Sequence, residues 1–571
     1  MKLPLQALAL LGTVGIYIIL ASSGFSGRGP NPDYAAYNLL ARGLLSGHLY
    51  IAKDPPPSLT RISDPYDPEQ NLEARFGMSS SPNGIHDFSY YRGRLYLYFG
   101  ITPALVYFVP AHWLTGAWFP HWTAVAFFCT LGLIANVSLA NNIRESCFPK
   151  YPERLAAIWA PLLGLASYAP MVLSRPDMWE IPIACAYFFV SLALLLLWRV
   201  FQNPQAAVPY LALASTALGA AFASRPTTLV VTPILAIALF LPQIRRNAVA
   251  WIAAIAPLAA CGAAVAAYNF QRFESPFEFG SRYQLAGVYV SKLHLFSIHY
   301  VWANLELYLF HGIKWENWFP FVAELKVDSL PEGHGGLERV SGALLCVPAL
   351  WAGVAVPLLL FRRRPDRNLV LAVLAIAWSA FGVLGLLAFF FGACGRYQLE
   401  FAPFLALLAV IGAMAMDEWF TGTIRKVVRG LWLCAVFVSC AFTILFGIRT
   451  IVTLHDEQGE VAFKQRAYFS AEEEFTIAHF FSPNDFVARL ELARLLFLNG
   501  CRREGQADVQ DLTRDFPKNA PARVIYGAML EDQGRLTEAV EAYRQALAMS
   551  PDNTEIERQL RSAEARLANV H

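Results

Sequence analysis

Charged residues are scarce in this chain. Only 15% of its 571 residues are charged, while 56% are hydrophobic, whereas soluble domains usually carry about 25% charged residues. The formal net charge is only +2, so the chain lacks the excess of positive charge with which proteins bind nucleic acid. These values argue against a soluble domain and a nucleic-acid partner, and they indicate an integral membrane protein.

Cysteine motifs are also missing. The nine cysteines include no CxxC pair and no Cys/His cluster. Seven of them lie in or beside apolar runs, while Cys147 falls in a connecting loop and Cys501 in the tail. The sequence therefore predicts neither a disulfide scaffold nor a thiolate metal site.

Long apolar runs dominate instead. A bilayer is crossed by about 20 apolar residues, and eleven such spans are predicted, near 4–22, 119–140, 155–173, 179–198, 207–223, 227–242, 248–268, 341–361, 368–391, 399–416 and 431–448. The expected fold is all-α, a polytopic membrane helical bundle of about 11 spans over 1–448. Small residues follow the first run at Ala21-Ser22-Ser23, so a cleaved signal sequence is an alternative for that span, with the same topology downstream.

Basic residues set the orientation. With a cytoplasmic amino terminus, 14 basic residues face the cytoplasm, against three in the short outer loops; the 14 are Lys2, Arg144, Lys150, Arg154, Arg199, Arg245, Arg246, Arg362, Arg363, Arg364, Arg367, Arg425, Lys426 and Arg429. Positive residues favour the cytoplasmic side. Counting the proline-interrupted run 96–118 as a span would invert the later loops, so we interpret it as an interfacial or re-entrant helix. In a bacterium this topology places the bundle in the inner membrane and the tail in the periplasm.

The three outer-loop arginines share a setting. Each lies in a compact polar motif where an apolar run ends: Ser174-Arg175-Pro176-Asp177, Ser224-Arg225-Pro226-Thr227 and Gly395-Arg396-Tyr397-Gln398. Charge beside a bilayer is costly, so three arginines on one face predict a shared anionic ligand. The alternative is that their side chains extend to lipid headgroups.

Two long outer segments, 23–118 and 269–340, separate groups of spans. The first begins with Asn31-Pro32-Asp33-Tyr34 and continues as a predicted helix over 35–45. The second is dense in aromatic residues, and loops of this length are usually functional. Its 277–283 stretch, with Arg282 and Tyr283, mixes aromatic and charged residues as sugar sites do, although an interfacial anchor belt has the same composition.

A repeat follows the last span. The motifs that begin at Pro483, Pro517 and Pro551 are spaced by 34 residues, the tetratricopeptide period. We expect a juxtamembrane linker over 449–482 and an α-solenoid over 483–571, with two helix pairs and a capping helix near 554–567. Such repeats bind protein partners, although a membrane-proximal stabilising cap is an equal alternative here.

Together, these features resemble the GT-C glycosyltransferases, a superfamily that includes protein O-mannosyltransferases and aminoarabinose transferases, some members of which carry tetratricopeptide tails. The resemblance covers about 1–448 and is carried by Asp33-Tyr34…Gly43…Gly47, Tyr90-Tyr91…Gly93 to Gly100, Arg175…Met178-Trp179-Glu180 and Arg396-Tyr397. It implies a multispanning enzyme that takes a sugar from a polyprenyl-phosphate carrier. Many members have an Asp pair where Tyr34 follows Asp33 here, a departure that argues against a metal-binding role for this site. The sequence leaves the cofactor unassigned, and a divalent metal is one candidate.

Candidate site residues follow from this chemistry. A leaving phosphate needs arginine, here Arg225, Arg396 and then Arg175, and an acceptor hydroxyl needs a carboxylate to deprotonate or orient it. The catalytic candidates are Asp33, Glu180 and Asp87, whose structural alternatives are a helix N-cap, an ion pair with Arg175 and a loop turn, respectively. The substrate-binding candidates are Tyr34, Arg282, Tyr283 and Tyr397.

The predicted function is thus transfer of a sugar from a polyprenyl-phosphate-linked donor to a glycan, lipid or protein acceptor on the outer face. A transporter or flippase of a lipid-linked or polar solute is the first alternative, but it would need ionisable groups deep in several spans. The second is a non-catalytic assembly scaffold that acts through the repeats. Replacing Asp33 separates the enzyme from both.

Overall fold

The computed structural model describes residues 4–23, 31–76, 85–327, 329–361 and 366–569. Lys2 and Arg362, Arg363 and Arg364, which contribute to the predicted charge asymmetry, lie outside these ranges. The chain divides into two compact units. The first comprises Met1–Trp315 and Val322–Thr450, and the second comprises Glu316–Phe321 and Ile451–His571.

The first unit is built mainly of helices. In chain order these are α1 (Leu5–Ala21), α2 (Ala36–Leu45), α3 (Leu72–Phe76), α4 (Val109–Thr115), α5 (His121–Cys147), α6 (Glu153–Ala156), α7 (Trp159–Leu165), α8 (Ala169–Leu173), α9 (Glu180–Gln202), α10 (Ala207–Ser224), α11 (Ile234–Leu239), α12 (Ala248–Phe273), α13 (Val301–Phe310), α14 (Ala343–Cys346), α15 (Arg367–Ala388), α16 (Ala402–Trp419) and α17 (Gly422–Lys464), whose last residues belong to the second unit.

Within the described ranges, seven helices are long and apolar enough to cross a membrane: α5, α9, α10, α12, α15, α16 and α17. Four shorter apolar helical stretches accompany them, at Leu5–Ala21, Ala104–Thr115, Pro226–Leu239 and Pro348–Phe361. The predicted all-α, integral membrane fold is confirmed, whereas the number of eleven spans stays a prediction.

The run 155–173, predicted as one span, is divided among α6, α7 and α8. The break before α8 falls at Tyr168, whose backbone φ of 65° is left-handed and cannot continue a right-handed helix. The buried Tyr168 hydroxyl donates to the Ser341 carbonyl at 3.1 Å, which fixes the residue at the break. Pro170 then begins the new helix, where its missing N–H is not needed.

Small residues and buried hydrogen bonds hold the long helices together. A Cβ on Gly132 of α5 would come within 2.3 Å of the Tyr187 ring of α9, so the absence of a side chain allows close packing. Asn136 donates to the Tyr187 hydroxyl at 3.2 Å, and Tyr17 of α1 donates to the Gly164 carbonyl at 2.8 Å. These contacts fix α5 against α9 and α1 against the short α7.

Short strands pair within the two outer segments and with the chain after α15. They are β1 (Ser89–Tyr91) and β2 (Arg94–Tyr96), antiparallel; β3 (Ile313–Trp315) and β4 (Val322–Glu324), antiparallel; and β5 (Leu337–Glu338) and β6 (Ala393–Cys394), parallel. The 96–118 run forms a π-helical turn at Ala104–Phe108 followed by α4. Together these are shorter than the about 20 residues that span a bilayer.

The second unit is an α-solenoid. Its helices after α17 are α18 (Tyr468–Phe481), α19 (Phe486–Leu498), α20 (Arg502–Asp515), α21 (Ala520–Asp532), α22 (Leu536–Met549) and α23 (Thr554–Ala568). The predicted helix pairs, α19–α20 and α21–α22, and the predicted final helix are present. The 449–482 segment, predicted as a linker, is itself helical, and His455 Nδ1 of α17 lies 2.6 Å from Glu474 Oε2 of α18.

Candidate functional site

Three arginines from three separate helix ends converge, and we call them the arginine cluster: Arg175, Arg225 and Arg396. Arg175 precedes α9, Arg225 follows α10, and Arg396 lies in the 3-10 turn Gly395–Glu400 between α15 and α16. The Arg225 and Arg396 guanidinium carbons lie 4.7 and 5.3 Å from the centroid of the Tyr397 ring. Arg175 joins Arg396 through a shared carboxylate, so the three predicted phosphate ligands form one group.

Each guanidinium faces a carboxylate. Glu338 pairs with Arg175 and, at 2.7 Å, with Arg396 Nη1. Glu400 accepts from Arg225 Nε at 3.0 Å, and its other oxygen accepts from the Thr227 hydroxyl at 2.6 Å.

Glu180, a catalytic candidate from the sequence, is buried next to Arg396. Its side chain is 2% exposed, and its Oε1 is 4.0 Å from Arg396 Nη1. The predicted structural alternative for Glu180 was an ion pair with Arg175, whereas Arg175 pairs with Glu338. Three acidic side chains thus balance the charge of the arginine cluster.

Two phenols next to the arginine cluster stay protonated. Burial raises the pKa of Tyr98, and Asp87 adds to that shift, while the Arg396 and Arg225 charges oppose it; the net pKa is well above the ordinary value. Burial likewise raises the pKa of Tyr397. Burial alone would lower the pKa of Arg225, but Glu400 raises it and the net shift is upward. The site therefore presents neutral hydroxyl groups beside fixed positive charges.

Asp87 connects the first outer segment to the arginine cluster. Its Oδ2 accepts from Trp179 Nε1 at 2.9 Å, and its Oδ1 accepts from Gln284 Nε2 at 2.8 Å. The Trp179 ring in turn lies against Arg175, whose guanidinium carbon is 4.9 Å from the ring centroid. Asp87 itself has φ 62°. Aspartate adopts this left-handed conformation more readily than most residues, so the backbone of Asp87 fits the predicted loop turn.

A hydrogen-bonded path links α2 to the arginine cluster. The Tyr37 amide donates to His121 Nε2 at 3.5 Å, and His121 Nδ1 lies 3.2 Å from Asp177 Oδ1. The Asp177 amide donates to Glu180 Oε2 at 3.2 Å. Burial would raise the pKa of Asp177, but the hydrogen bonds from the His121 ring and from the Met178 amide oppose burial, and the net pKa is lowered. Asp177 is therefore ionised, and it orients His121.

Asp33 lies on the surface. Its side chain is 58% exposed and pairs with Arg42, whose guanidinium carbon is 4.8 Å from the Trp118 ring centroid. The N-cap of α2 is Ala35 without a side-chain cap, so the predicted structural alternative, N-capping by Asp33, is wrong. The neighbouring Tyr34 is also exposed, at 52%.

The remaining sugar-binding candidates lie in an aromatic group of the outer segments. The Tyr283 ring centroid is 4.6 Å from that of Tyr91 and 5.6 Å from that of Phe273. Arg282 is largely exposed, and its Nε is 3.5 Å from Glu278 Oε2. The contacts of Arg282 and Tyr283 place them in this aromatic group, whereas Tyr397 lies in the arginine cluster.

Sequence reasoning missed several groups of this site. Glu338 and Glu400 pair with arginines 163 and 175 residues away in the sequence. Tyr98 lies within the Gly93 to Gly100 motif but was not itself predicted as a site residue. For Glu400 a signal existed, since it follows Arg396 by four residues at the start of an apolar run. As for metals, no group of three or more His, Cys, Asp or Glu side chains that could hold one occurs in the part of the chain that the structure describes.

No family model matches the sequence, and no curated protein matches it. Solved structures similar to the chain include ArnT from Cupriavidus metallidurans bound to undecaprenyl phosphate, at 14% identity and a TM-score of 0.41, covering 94% of this chain and 79% of that one. The Archaeoglobus fulgidus oligosaccharyltransferase is 13% identical with a TM-score of 0.36, covering 81% and 59%. The Arabidopsis OM64 TPR domain is 20% identical with a TM-score of 0.18, covering 20% and 93%. The similar solved structures thus include an oligosaccharyltransferase and a TPR domain.

Proposed function

We propose that this protein is a membrane glycosyltransferase that moves a sugar from a polyprenyl-phosphate carrier to an acceptor hydroxyl at the outer face of the membrane. The carrier keeps its lipid in the bilayer and its phosphate at the headgroup level. The observation that carries the proposal is the convergence of Arg175, Arg225 and Arg396 from three helix ends. Guanidinium groups match phosphate oxygens in geometry and charge.

The carboxylates take different roles in this proposal. Asp33 is the general base, because its exposed carboxylate can reach an acceptor hydroxyl once a substrate displaces Arg42. Asp87 already accepts two side-chain hydrogen bonds, so it is the second candidate. Glu180, buried beside Arg396, serves as a counter-ion that orients that guanidinium. The donor sugar or the acceptor is contacted by Tyr34 and Tyr397. It is also contacted by Arg282 and Tyr283, which lie in the aromatic group of the outer segments and not in the arginine cluster.

The proposal extends to location and partners. The acceptor is a glycan, lipid or protein hydroxyl, and the protein lies in a bacterial inner membrane with a cytoplasmic amino terminus and periplasmic repeats. The repeats bind a protein partner. A divalent metal remains a candidate cofactor for the carboxylates of the first outer segment.

Conservative arginine variants test the phosphate site. Arg225→Lys and Arg396→Lys keep the charge but lose the planar fork, so we expect donor binding to weaken by roughly tenfold or more, the equivalent of one charge-assisted hydrogen bond. Binding of a polyprenyl-phosphate sugar to the full-length protein in nanodiscs measures this. Arg92→Lys is the matched control, since Arg92 forms an exposed pair with Glu274. Unchanged donor binding in both site variants would reduce these arginines to headgroup anchors.

A further inference from the structure

Glu338 uses its two carboxylate oxygens separately. Oε1 pairs with Arg175, and Oε2 accepts from Arg396 Nη1 at 2.7 Å. Two oxygens of one phosphate can bridge two guanidinium groups in the same way. Glu338 therefore occupies the guanidinium N–H donors of Arg175 and Arg396 that a bound phosphate would use.

The two glutamates that hydrogen-bond directly to the arginine cluster, Glu338 and Glu400, differ in how easily they can leave it. The Glu400 side chain is 1% exposed and is bonded to both Arg225 and Thr227. The Glu338 side chain is 35% exposed. Separating a buried ion pair leaves an uncompensated charge and is costly, whereas Glu338 can move into solvent. Arg225 therefore has a permanent partner, while the partner shared by Arg175 and Arg396 can be exchanged.

The segment that carries Glu338 is suited to movement. It contains Gly333 and Gly336, with φ of 77° and 109°, backbone angles that residues other than glycine rarely adopt. Its last residues pair with β6 through the two-residue strand β5. Residues 333–335 are anchored by the Tyr300 hydroxyl on the Gly333 carbonyl, by His334 on Asn304 and by the Gly335 amide on the Phe391 carbonyl. Short segments with such backbone freedom are typical hinges.

We propose that Glu338 is an internal substitute for the donor phosphate. It bridges Arg175 and Arg396 until the carrier phosphate takes its place, and residues 336–338 then move away from β6. This inference rests on the proposed donor site. The exchange keeps Arg175 and Arg396, both largely buried, paired with an anion before and after the donor binds. It also makes a phosphate compete for the site, so that weakly interacting anions are excluded.

A charge-neutral variant tests the exchange. Full-length Glu338→Gln in zwitterionic nanodiscs should bind polyprenyl monophosphate roughly tenfold more tightly than the parent, because the competing charge-assisted bonds are lost. Its melting temperature without the lipid should fall, because two arginines lose their partner. Glu332→Gln, the same change at an exposed position of the same segment, should leave affinity unchanged.

The parent protein gives an independent readout should the variant not fold. On addition of polyprenyl monophosphate, amide hydrogen exchange in 333–340 should become faster, while exchange in α14 stays constant. Slower or unchanged exchange would overturn the inference, as would unchanged or weaker binding by Glu338→Gln while Arg396→Lys binds less. Equal tightening toward phosphatidylglycerol would overturn the assignment to the carrier lipid. If Arg175→Lys and Arg396→Lys both bind as the parent does, the proposed function itself fails.

Discussion

An arginine at the end of a membrane helix is stable when a nearby group compensates its charge, since a lone charge near the bilayer is costly. In the arginine cluster the side chains are only 15–23% exposed, and each faces a carboxylate. This arrangement differs from extension to lipid headgroups, which would expose the guanidinium groups. The arginines are thus held in fixed positions before any ligand binds, as preorganised phosphate sites require.

Asp33 gives the sharpest test at the residue scale. Asp33→Asn should lower sugar transfer by about 10²–10⁴-fold if the carboxylate is the general base. The structural alternative is now the exposed ion pair with Arg42, and such pairs contribute only about 0–1 kcal/mol to stability. Transfer of a radiolabelled sugar from polyprenyl phosphate in membranes, at matched protein level, measures the effect.

The control for Asp33 breaks the same ion pair from the other side. Arg42→Gln leaves the carboxylate in place and should retain most of the activity. If Asp33→Asn stays within a few-fold of the parent, Asp33 is not the base and Asp87 becomes the leading candidate. If both variants lose activity equally, the ion pair acts by positioning the first outer segment.

The residues of the site differ in how far sequence could predict them. The arginines could be found because each ends an apolar run in a short loop, and neighbouring helix ends on one side of a membrane must lie close. The partner shared by Arg175 and Arg396 could not, since the position of Glu338 depends on the parallel pairing of β5 with β6, which are only two residues each. Strands this short leave no periodic signal in the sequence.

At the element scale, periodicity decided which predictions held. The 34-residue spacing predicted a final helix near 554–567, and α23 spans Thr554–Ala568. The run 155–173 is uniformly apolar, and length alone suggested one helix; it is broken where Tyr168 adopts a left-handed backbone. Hydropathy reports burial and does not report a backbone break that tertiary hydrogen bonds impose.

His334 links the segment that carries Glu338 to α13. Its Nδ1 accepts from the Gly336 amide at 3.1 Å, and its Nε2 lies 3.0 Å from Asn304 Oδ1. The Asn304 amide nitrogen, with two hydrogens to donate, faces three carbonyl oxygens at the end of α15 and just after it, at 2.6–3.3 Å. The Asn304 Oδ1 therefore accepts from His334, which is the neutral Nε2–H tautomer. The ring packs against Tyr300, and burial lowers the His334 pKa.

The sign of the pH effect follows. The pKa of His334 in the folded protein lies below its unfolded value of about 6.5. The stability that the neutral ring contributes is therefore complete above about pH 6.5 and is lost as the pH falls through the folded pKa. We expect acidification from pH 7.5 to 5.5 to lower the melting temperature of the parent more than that of His334→Gln. His299→Gln, at an exposed position of the same outer segment, should behave as the parent. Parallel pH profiles of the parent and His334→Gln would contradict this role.

At the scale of the whole membrane unit, polar groups gather at two opposite ends of the helices. One end holds the arginine cluster. At the other, Gln202 of α9 donates to Ser146 of α5 at 2.7 Å, and the Cys147 thiol donates to Asp366 before α15 at 3.5 Å. Arg429 forms a two-point pair with Asp417 at the corresponding end of α16 and α17. Basic residues predicted to face the cytoplasm, such as Arg199, Arg367 and Arg429, are thus separated from the arginine cluster by the length of the helices.

This separation gives the topological prediction. Arg199 and Arg367 lie at the end of α9 and the start of α15, whereas Arg175 and Arg396 lie beyond the opposite ends of these two helices. Because basic residues favour the cytoplasmic side, a reporter inserted within 362–365 should be cytoplasmic, and one fused after His571 should be periplasmic. Paired phosphatase and fluorescent-protein fusions in a bacterial host measure both positions. Reporters on the same side would refute the proposed topology, and an inverted pair would place the arginine cluster at the cytoplasmic face and exclude a periplasmic transfer reaction.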